Sequence, residues 1–435
     1  MIAPLNPTET LSNRLTVDAS GSFFLLQGKP TFVLADTLWA AFSRMTDAEW
    51  SDAMRLRRRQ GFNAVNISIL PVAHDRSLSS DSRSPFLVRS DGSWDMDALD
   101  STYFERAGRM VSIALENGIV PILGVLWCNY VPNTWGAAKT PDLVMTESQS
   151  KCYVGQVIKT FGDSVIYCIS GDDHLDDSIA VARYVSALHQ VKLALPAALT
   201  TFHSTPRAVL PANVESDPAL TYYAYQAGHD VGWEERSEKL PRRYTAIEPR
   251  KPVVSMEPCY EGHGFGAGHA RHDARDVRRA SWVGVLCGAG AGLGYAAHGA
   301  WSWHRAGDDF NGEHFSGIPL PATRAMELPG AWDMGLLRRL VEHYGLYALR
   351  DRQEHISNNA SGAVFAVSED GNTAAAYLPE AFCLTVSMDF SGWDVEMWDL
   401  ASGRRDFVEI SVTSAGHTTF AQPDFIGDLL YVMKR

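Results

Sequence analysis

Between residues 31 and 345 the chain alternates short apolar runs with amphipathic stretches of helical period, and this alternation constrains the fold more than any other feature. The runs are Phe32–Ala35, Ala64–Ile67, Ile119–Leu126, Val165–Ile169, Ala197–Phe202, Leu220–Tyr225, Pro252–Met256 and Leu293–Ala297. They are apolar on both sides of the strand, as parallel strands covered on both faces must be. Helical patterns follow most of them, at 46–61, 104–118, 141–161, 176–192, 234–247, 273–288 and 332–344. The first opens on a capping box, Thr46-Asp-Ala-Glu49, and stops at Gly61. Eight β-then-α units predict an α/β fold, a (β/α)8 TIM barrel.

After about residue 350 the texture changes. Ala363–Val367, Thr373–Leu378, Thr385–Met388, Val395–Trp398 and Leu429–Val432 read as short strands between turns, the pattern of a small antiparallel β-sandwich. The expected organisation is therefore an N-terminal β element over 1–30 packing on the rest, a barrel over 31–348 and a β-sandwich over 349–435. No low-complexity linker separates the last two, which predicts close packing.

Composition narrows the function. The 435 residues carry a formal charge of −13, the wrong sign for a nucleic-acid partner, so a neutral ligand is the simpler expectation. No stretch approaches the ~20 apolar residues of a membrane span, and the first residues lack a basic, signal-like segment. Six cysteines without a C-x-x-C pair read as reduced thiols, which points to a cytoplasmic protein. The sequence leaves the oligomeric state open, a homo-oligomer included.

In such a barrel the C-terminal strand ends build the active site. Taken in order they supply Asp36 and Trp39, Asn66, Trp127, Asp172 and Asp173, His203, Gln226 and His229, Glu257, Tyr260 and Glu261, and His298, Trp301 and Trp303. Aromatic faces with neutral hydrogen-bonding groups suit a sugar, whose C–H face packs on rings while its hydroxyls seek polar partners. Two carboxylates across such a pocket are the minimum for glycosidic cleavage, and the pair Asp172/Glu257 lacks an obvious local capping role. Asp173 and Asp176 read equally well as helix caps, and Asp36 as a partner of backbone amides in the first turn. His263, His269 and His272 on a Gly-rich loop are a weak match to a metal site, so the expectation is no metal and no cofactor. Gly288–Gly294 misses the dinucleotide register, and the marks of phosphate transfer, zincins and serine hydrolases are missing.

Six motifs carry a family resemblance: Thr31-Phe-Val-Leu-Ala-Asp-Thr-Leu-Trp39, Ile169-Ser-Gly-Asp172, Tyr225-Gln-Ala-Gly-His229, Met256-Glu-Pro-Cys-Tyr-Glu-Gly262, Asp276-Val-Arg-Arg279 and His298-Gly-Ala-Trp-Ser-Trp303. Together, over roughly 30–345, they resemble the apiosidase-like glycoside hydrolases (glycoside hydrolase family 140). The C-terminal region resembles the small β-sandwich that follows the barrel there. The resemblance implies a retaining exo-glycosidase with Asp172 as acid/base after strand four and Glu257 as nucleophile after strand seven. Ser170 stands where the motif has Gly and Asp173 follows directly, so both aspartates are candidate acids; Glu261 is the runner-up nucleophile. The expected subsite residues are Asp36, Trp39, Asn66, Trp127, His203, Gln226, His229, Tyr260, His298 and Trp301. The substrate expected is a small plant-derived glycoside or oligosaccharide ending in an apiose-like pentofuranose. Alternatives are an arabinofuranoside, a galactofuranoside, or a non-catalytic carbohydrate-binding barrel.

Overall fold

A computed structural model describes residues 15–74, 83–265, 270–310, 316–358 and 360–435. It opens on a three-stranded antiparallel sheet of β1 (Leu15–Val17), β2 (Phe24–Leu26) and β3 (Lys29–Thr31). Gln27 and Gly28 both have positive φ, the backbone of a two-residue hairpin turn. Residues 1–14 of the expected N-terminal element, like His269, lie outside the described residues.

The chain then runs β4 (Val33–Thr37), α1 (Ala41–Arg44), α2 (Asp47–Gln60), β5 (Ala64–Ser68) and a hairpin of β6 (Phe86–Val88) and β7 (Trp94–Leu99). It continues through α3 (Ser101–Glu116), β8 (Val120–Trp127), α4 (Trp135–Lys139), α5 (Glu147–Phe161), β9 (Ile166–Gly171), α6 (Ser178–Ala194) and β10 (Thr200–Thr201). Next come α7 (Ala212–Glu215), β11 (Tyr223–Gln226), α8 (Trp233–Thr245) and β12 (Val253–Glu257). Short strands β13 (Gly264–Phe265) and β14 (Ala270–Arg271) precede α9 (Ala274–Leu286), β15 (Gly292–Tyr295), α10 (Ala322–Ala325) and α11 (Gly330–Tyr344).

All eight strands expected from the apolar runs exist, hydrogen-bonded in the parallel order β10-β9-β8-β5-β4-β15-β12-β11. This is the (β/α)8 barrel. The capping box at Thr46 forms, and Gly61 ends α2 with φ 95°, a conformation glycine adopts without a Cβ penalty. The barrel's weakest strand is β10, expected over Ala197–Phe202 but ordered as strand only at Thr200–Thr201. Its seam with β11 is closed by the backbone, where the Thr200 carbonyl accepts the Thr221 N–H (3.1 Å), and by threonine side chains. The Thr200 N–H donates to Thr221 Oγ1 (2.7 Å), and Thr201 Oγ1 donates to the Tyr222 carbonyl (2.9 Å). Between these two strands only the four-residue α7 stands where a full helix covers the other units.

Past α11 the chain builds β16 (Leu349–Asp351), β17 (Val364–Ser368), β18 (Thr373–Leu378), β19 (Leu384–Val386), β20 (Asp394–Asp399), β21 (Arg404–Phe407), β22 (Ile410–Val412), β23 (Thr418–Phe420) and β24 (Leu429–Lys434). They form a six-stranded antiparallel sheet, β16-β17-β18-β24-β20-β21, and a three-stranded one, β19-β23-β22, the two layers of a sandwich. Strand periodicity divides the larger sheet's side chains. Phe365, Val367, Ala376 and Tyr431 fill the sandwich, while Val364, Ala366, Tyr377 and Leu430 pack with the barrel core. Both faces are buried. The short charged edge strand β21 has no apolar alternation to betray it in sequence, and charge on an edge is a common guard against unwanted pairing.

Candidate active site

The C-terminal strand ends enclose a cleft of about 510 Å³. Trp39, Trp127, Asp172, Gln226, His229, Glu257, Tyr260 and Trp301 all line it, so eight residues singled out from sequence meet in one place. That volume lies in the range of small-molecule sites.

Glu257 is the last residue of β12. The register between β11 and β12 shifts at Tyr225/Gln226, which sets Gln226 directly opposite Glu257; such irregularities re-aim side chains at barrel rims. Gln226 Nε2 donates to Glu257 Oε1 (2.8 Å), and His229 Nε2 lies 3.1 Å from the same oxygen. His203 Nε2 stands 3.1 Å from Oε2 and is wholly buried. Burial pushes the Glu257 carboxyl up, but the contacts with His203 and His229 outweigh it and hold the group well below the ordinary range. The Tyr260 backbone N–H donates to His229 Nδ1 (3.2 Å), which leaves the imidazole proton on Nε2, facing Glu257. Burial lowers His229 to about 4, so this ring is neutral near pH 7. Glu257 is thus a buried, ionised carboxylate held by Gln226, His229 and His203.

Asp172 follows β9 with φ 51°, left-handed for a residue that carries a side chain. Trp135 Nε1, at the start of α4, donates to its carbonyl (2.7 Å), and His74 Nε2 lies 3.5 Å from its Oδ2. Gly171, just before it, is where Trp127 lies against the backbone: a Cβ there would come 2.7 Å from Trp127 Cδ2. Ser170 locks strand β9 to the chain after β10. Its Oγ donates to the His203 carbonyl (2.8 Å) and accepts the His203 N–H (3.0 Å). Asp173 is buried away from the cleft, beside Tyr184 of α6, and burial raises its carboxyl to about 6. Of the two candidate acids, only Asp172 lines the cleft.

Several expected subsite residues are placed elsewhere. Asp36 is fully buried with Oδ2 2.7 Å from Arg57 Nε on α2, and Asn66 donates to Thr37 Oγ1 (3.1 Å). Neither lines the cleft, a correction to the expectation of substrate contact. His203 sits behind Glu257 instead of facing a ligand. His298 supports the wall: its Nδ1 accepts the Trp301 indole N–H (3.3 Å) while Nε2 meets the Gly317 carbonyl (2.9 Å). Burial lowers it to about 3. Glu261, the runner-up nucleophile, accepts from Tyr295 Oη (2.7 Å) and the Gly330 N–H (3.0 Å), and burial raises it to about 7. It anchors α11 and does not reach the cleft.

The sequence reading missed His74, Trp135, Lys139, His174, Thr205, Arg207 and Asp230, which come from loops and the short α4 and also line the cleft. His263 completes a histidine wall, its ring 4.4 Å from His229 and 4.8 Å from His298. Among the described residues no group of three or more His, Cys, Asp or Glu is placed to hold a metal ion, and no helix is long and apolar enough to cross a membrane. Two polar atoms of the lining, Trp127 Nε1 and Gln226 Oε1, have no hydrogen-bond partner among the described residues. One is a donor and the other an acceptor.

A family model described as "Apiosidase-like, catalytic domain" matches residues 20–348. The search of curated proteins finds no match. Solved structures similar to the chain include a protein described as a glycoside hydrolase (TM-score 0.79, 16% identity, covering 98% of each chain). A second, described as a glycoside hydrolase family 5 protein from Bacteroides vulgatus ATCC 8482, has TM-score 0.79 and 16% identity over 97% of this chain and 93% of that one. A third from that organism, a putative glycoside hydrolase, has TM-score 0.68 and 16% identity over 99% of this chain and 84% of that one. At such identities the likeness establishes the shared fold alone.

Proposed function

Because the chain belongs to the apiosidase-like family of glycoside hydrolases, we propose that it releases a terminal furanose, apiose-like, from a small plant-derived glycoside or oligosaccharide by an exo-acting, retaining reaction. The observation that carries this reading is Glu257: a carboxylate kept ionised inside a ring-walled cleft that Asp172 also lines.

In the first step Glu257 attacks the anomeric carbon, the bond from that carbon to the leaving oxygen breaks, and the Asp172 proton passes to that oxygen. In the second step Asp172 takes a proton from water, the water oxygen bonds to the anomeric carbon, and Glu257 departs as carboxylate. Positive charge develops on the sugar in both transition states, and an ionised Glu257 beside it lowers their energy. Trp39, Trp127 and Trp301 supply ring faces for the apolar face of a sugar. The non-catalytic reading has no observation in its favour. Six free thiols support a cytoplasmic setting, in which small imported glycosides are the accessible substrates.

The test is a panel of 4-nitrophenyl glycosides that includes apiofuranoside, arabinofuranoside, galactofuranoside and pyranosides, with NMR of the first anomer released. Preference for the apiofuranoside and release of the starting anomer are expected. Asp172→Asn and Glu257→Gln should each bind without normal turnover. Turnover restricted to pyranosides, or an inverted first product, overturns the furanoside or the retaining assignment respectively.

A further inference from the structure

We propose that Trp135 is a positioning residue for the general acid, whose indole N–H fixes the Asp172 backbone and so aims its carboxyl at the leaving-group oxygen. This rests on the reading of Asp172 as acid/base. Such a fixture suits this backbone, because Asp172 has φ 51°, a left-handed conformation that most L-residues avoid and aspartate adopts only occasionally. Strand β9 ends at Gly171, and the pairing resumes at Asp173, which bridges to Ser204 and accepts the Thr205 N–H (3.0 Å), so Asp172 is the residue at the break. The Trp135 N–H meets the Asp172 carbonyl at 2.7 Å, on the residue whose backbone is unusual.

Trp135 is itself held rigidly. Thr134 caps α4 by accepting the Ala137 N–H (3.0 Å), and a Cβ on Gly136 would come 2.6 Å from Asn129 N and Cys128 Sγ. The helix is therefore pressed onto the turn that leaves β8. The indole packs against the His74 ring (centroids 4.8 Å apart) and against Lys139 Nζ (4.6 Å from the ring centroid). His74 also approaches Asp172 Oδ2, so the packed Trp135 and His74 rings meet the backbone and the carboxyl of the same residue. A strut running from β8 through α4 reaches across to the end of β9.

A plain sugar platform would also place an aromatic ring here, and the two roles predict different kinetics. A misplaced acid slows departure of poor leaving groups far more than of good ones, whereas a lost platform weakens binding of all alike. Wild type, Trp135→Phe and Asp172→Asn are compared on 2,4-dinitrophenyl, 4-nitrophenyl and phenyl apiofuranosides, or on the arabinofuranosides if the panel selects that sugar. For Trp135→Phe, kcat/KM on the phenyl glycoside, which reports the first step alone, should fall about tenfold to hundredfold. On the dinitrophenyl glycoside kcat/KM should stay within about twofold, while kcat falls because Asp172 is also the base of the second step; Asp172→Asn should show the same selectivity, larger. An equal loss of kcat/KM on all three leaving groups, or no change, overturns the positioning role. If Asp172→Asn shows no leaving-group selectivity, the assignment of the acid fails, which separates that failure from a failure of Trp135. Should Trp135→Phe fold poorly, 3-benzothienylalanine at position 135 removes the N–H and keeps the ring system, with the same outcomes decisive.

Discussion

Gly171→Ala is the smallest change that should disturb the chemistry without touching a polar group. Gly171 has an ordinary backbone, so alanine meets no conformational penalty there; the cost is contact. Its Cβ would lie 2.7 Å from Trp127 Cδ2 and nearer still to Cε3. Carbon atoms rest at about 3.5–4.0 Å, so the indole must retreat by roughly 1 Å or more. Trp39, edge-on with centroids 5.0 Å apart, and His203, at 6.3 Å, crowd the same ring, so its retreat disturbs the wall of the cleft. Overpacking of this kind costs about 1–3 kcal/mol of stability. A displacement of about 1 Å at a reacting site can cost on the order of a hundredfold in rate. The assay is kcat/KM on the aryl glycoside together with the urea midpoint, for Gly171→Ala and for Gly171→Ala/Trp127→Phe. The smaller ring should restore stability without restoring activity. Full activity in Gly171→Ala would falsify the claim that the position of Trp127 matters to substrate.

Three further outcomes follow from individual side chains. Asp173→Asn should keep kcat within about tenfold, because its carboxyl is outside the cleft, whereas general-acid removal costs about 10²–10⁴-fold; a loss as large as that of Asp172→Asn would reverse their roles. Glu261 holds its proton to about 7 in the folded chain, against 4.5 as the ordinary value, so between those two pH values the folded state binds the extra proton and stability falls as pH rises. That window is worth about 3 kcal/mol, and the urea midpoint of Glu261→Gln, which keeps the shape, should lose the slope; an unchanged slope assigns it to another group. Asp428→Asn should destabilise by about 3 kcal/mol, since it breaks a buried two-point pair with Arg278 (2.7 and 3.0 Å) while Asp333 remains at 2.8 Å. A loss under about 1 kcal/mol in urea unfolding would mean that Asp333 carries the interaction alone.

The barrel was readable because a parallel strand covered on both faces must be an uninterrupted apolar run, and eight such runs sit at regular intervals. Glu257 and Asp172 were readable for the same reason: once a run is placed, its C-terminal end is placed too. What the runs cannot give is which side of the strand a terminal residue faces. Asp36 and Thr37 are neighbours in β4, and successive residues point opposite ways, so one step decides between the Arg57 pair and the barrel interior. Asn66 and Glu261, close to the rim in sequence, likewise turn to protein partners, Asn66 Nδ2 to Thr37 and Glu261 to Tyr295 and Gly330. His74 and Trp135 carry no periodic signal. Their place depends on loop paths set by tertiary packing, which is why half of the Asp172 environment was invisible from sequence.

The site also depends on residues no ligand can reach. Arg278 lies on α9, the helix that follows the strand bearing Glu257, and pairs with the buried Asp428 of the C-terminal region. Just before α9, His272 Nε2 meets the His229 carbonyl (2.9 Å), and His229 is a direct partner of Glu257. Tyr377, Leu430 and Val432 of the large sheet pack into the same apolar cluster as the barrel strands. A module that only tethered the enzyme to a target would need a hydrophobic core of its own and a polar face toward the barrel. Here one sheet face is instead an apolar layer against the barrel helices. Stripping it away would uncover that layer and leave Arg278 without Asp428, on the helix whose N-terminal approach fixes His229. The β-sandwich is therefore best understood as the outer support of the Glu257 side of the cleft, in the way that α4 supports the Asp172 side.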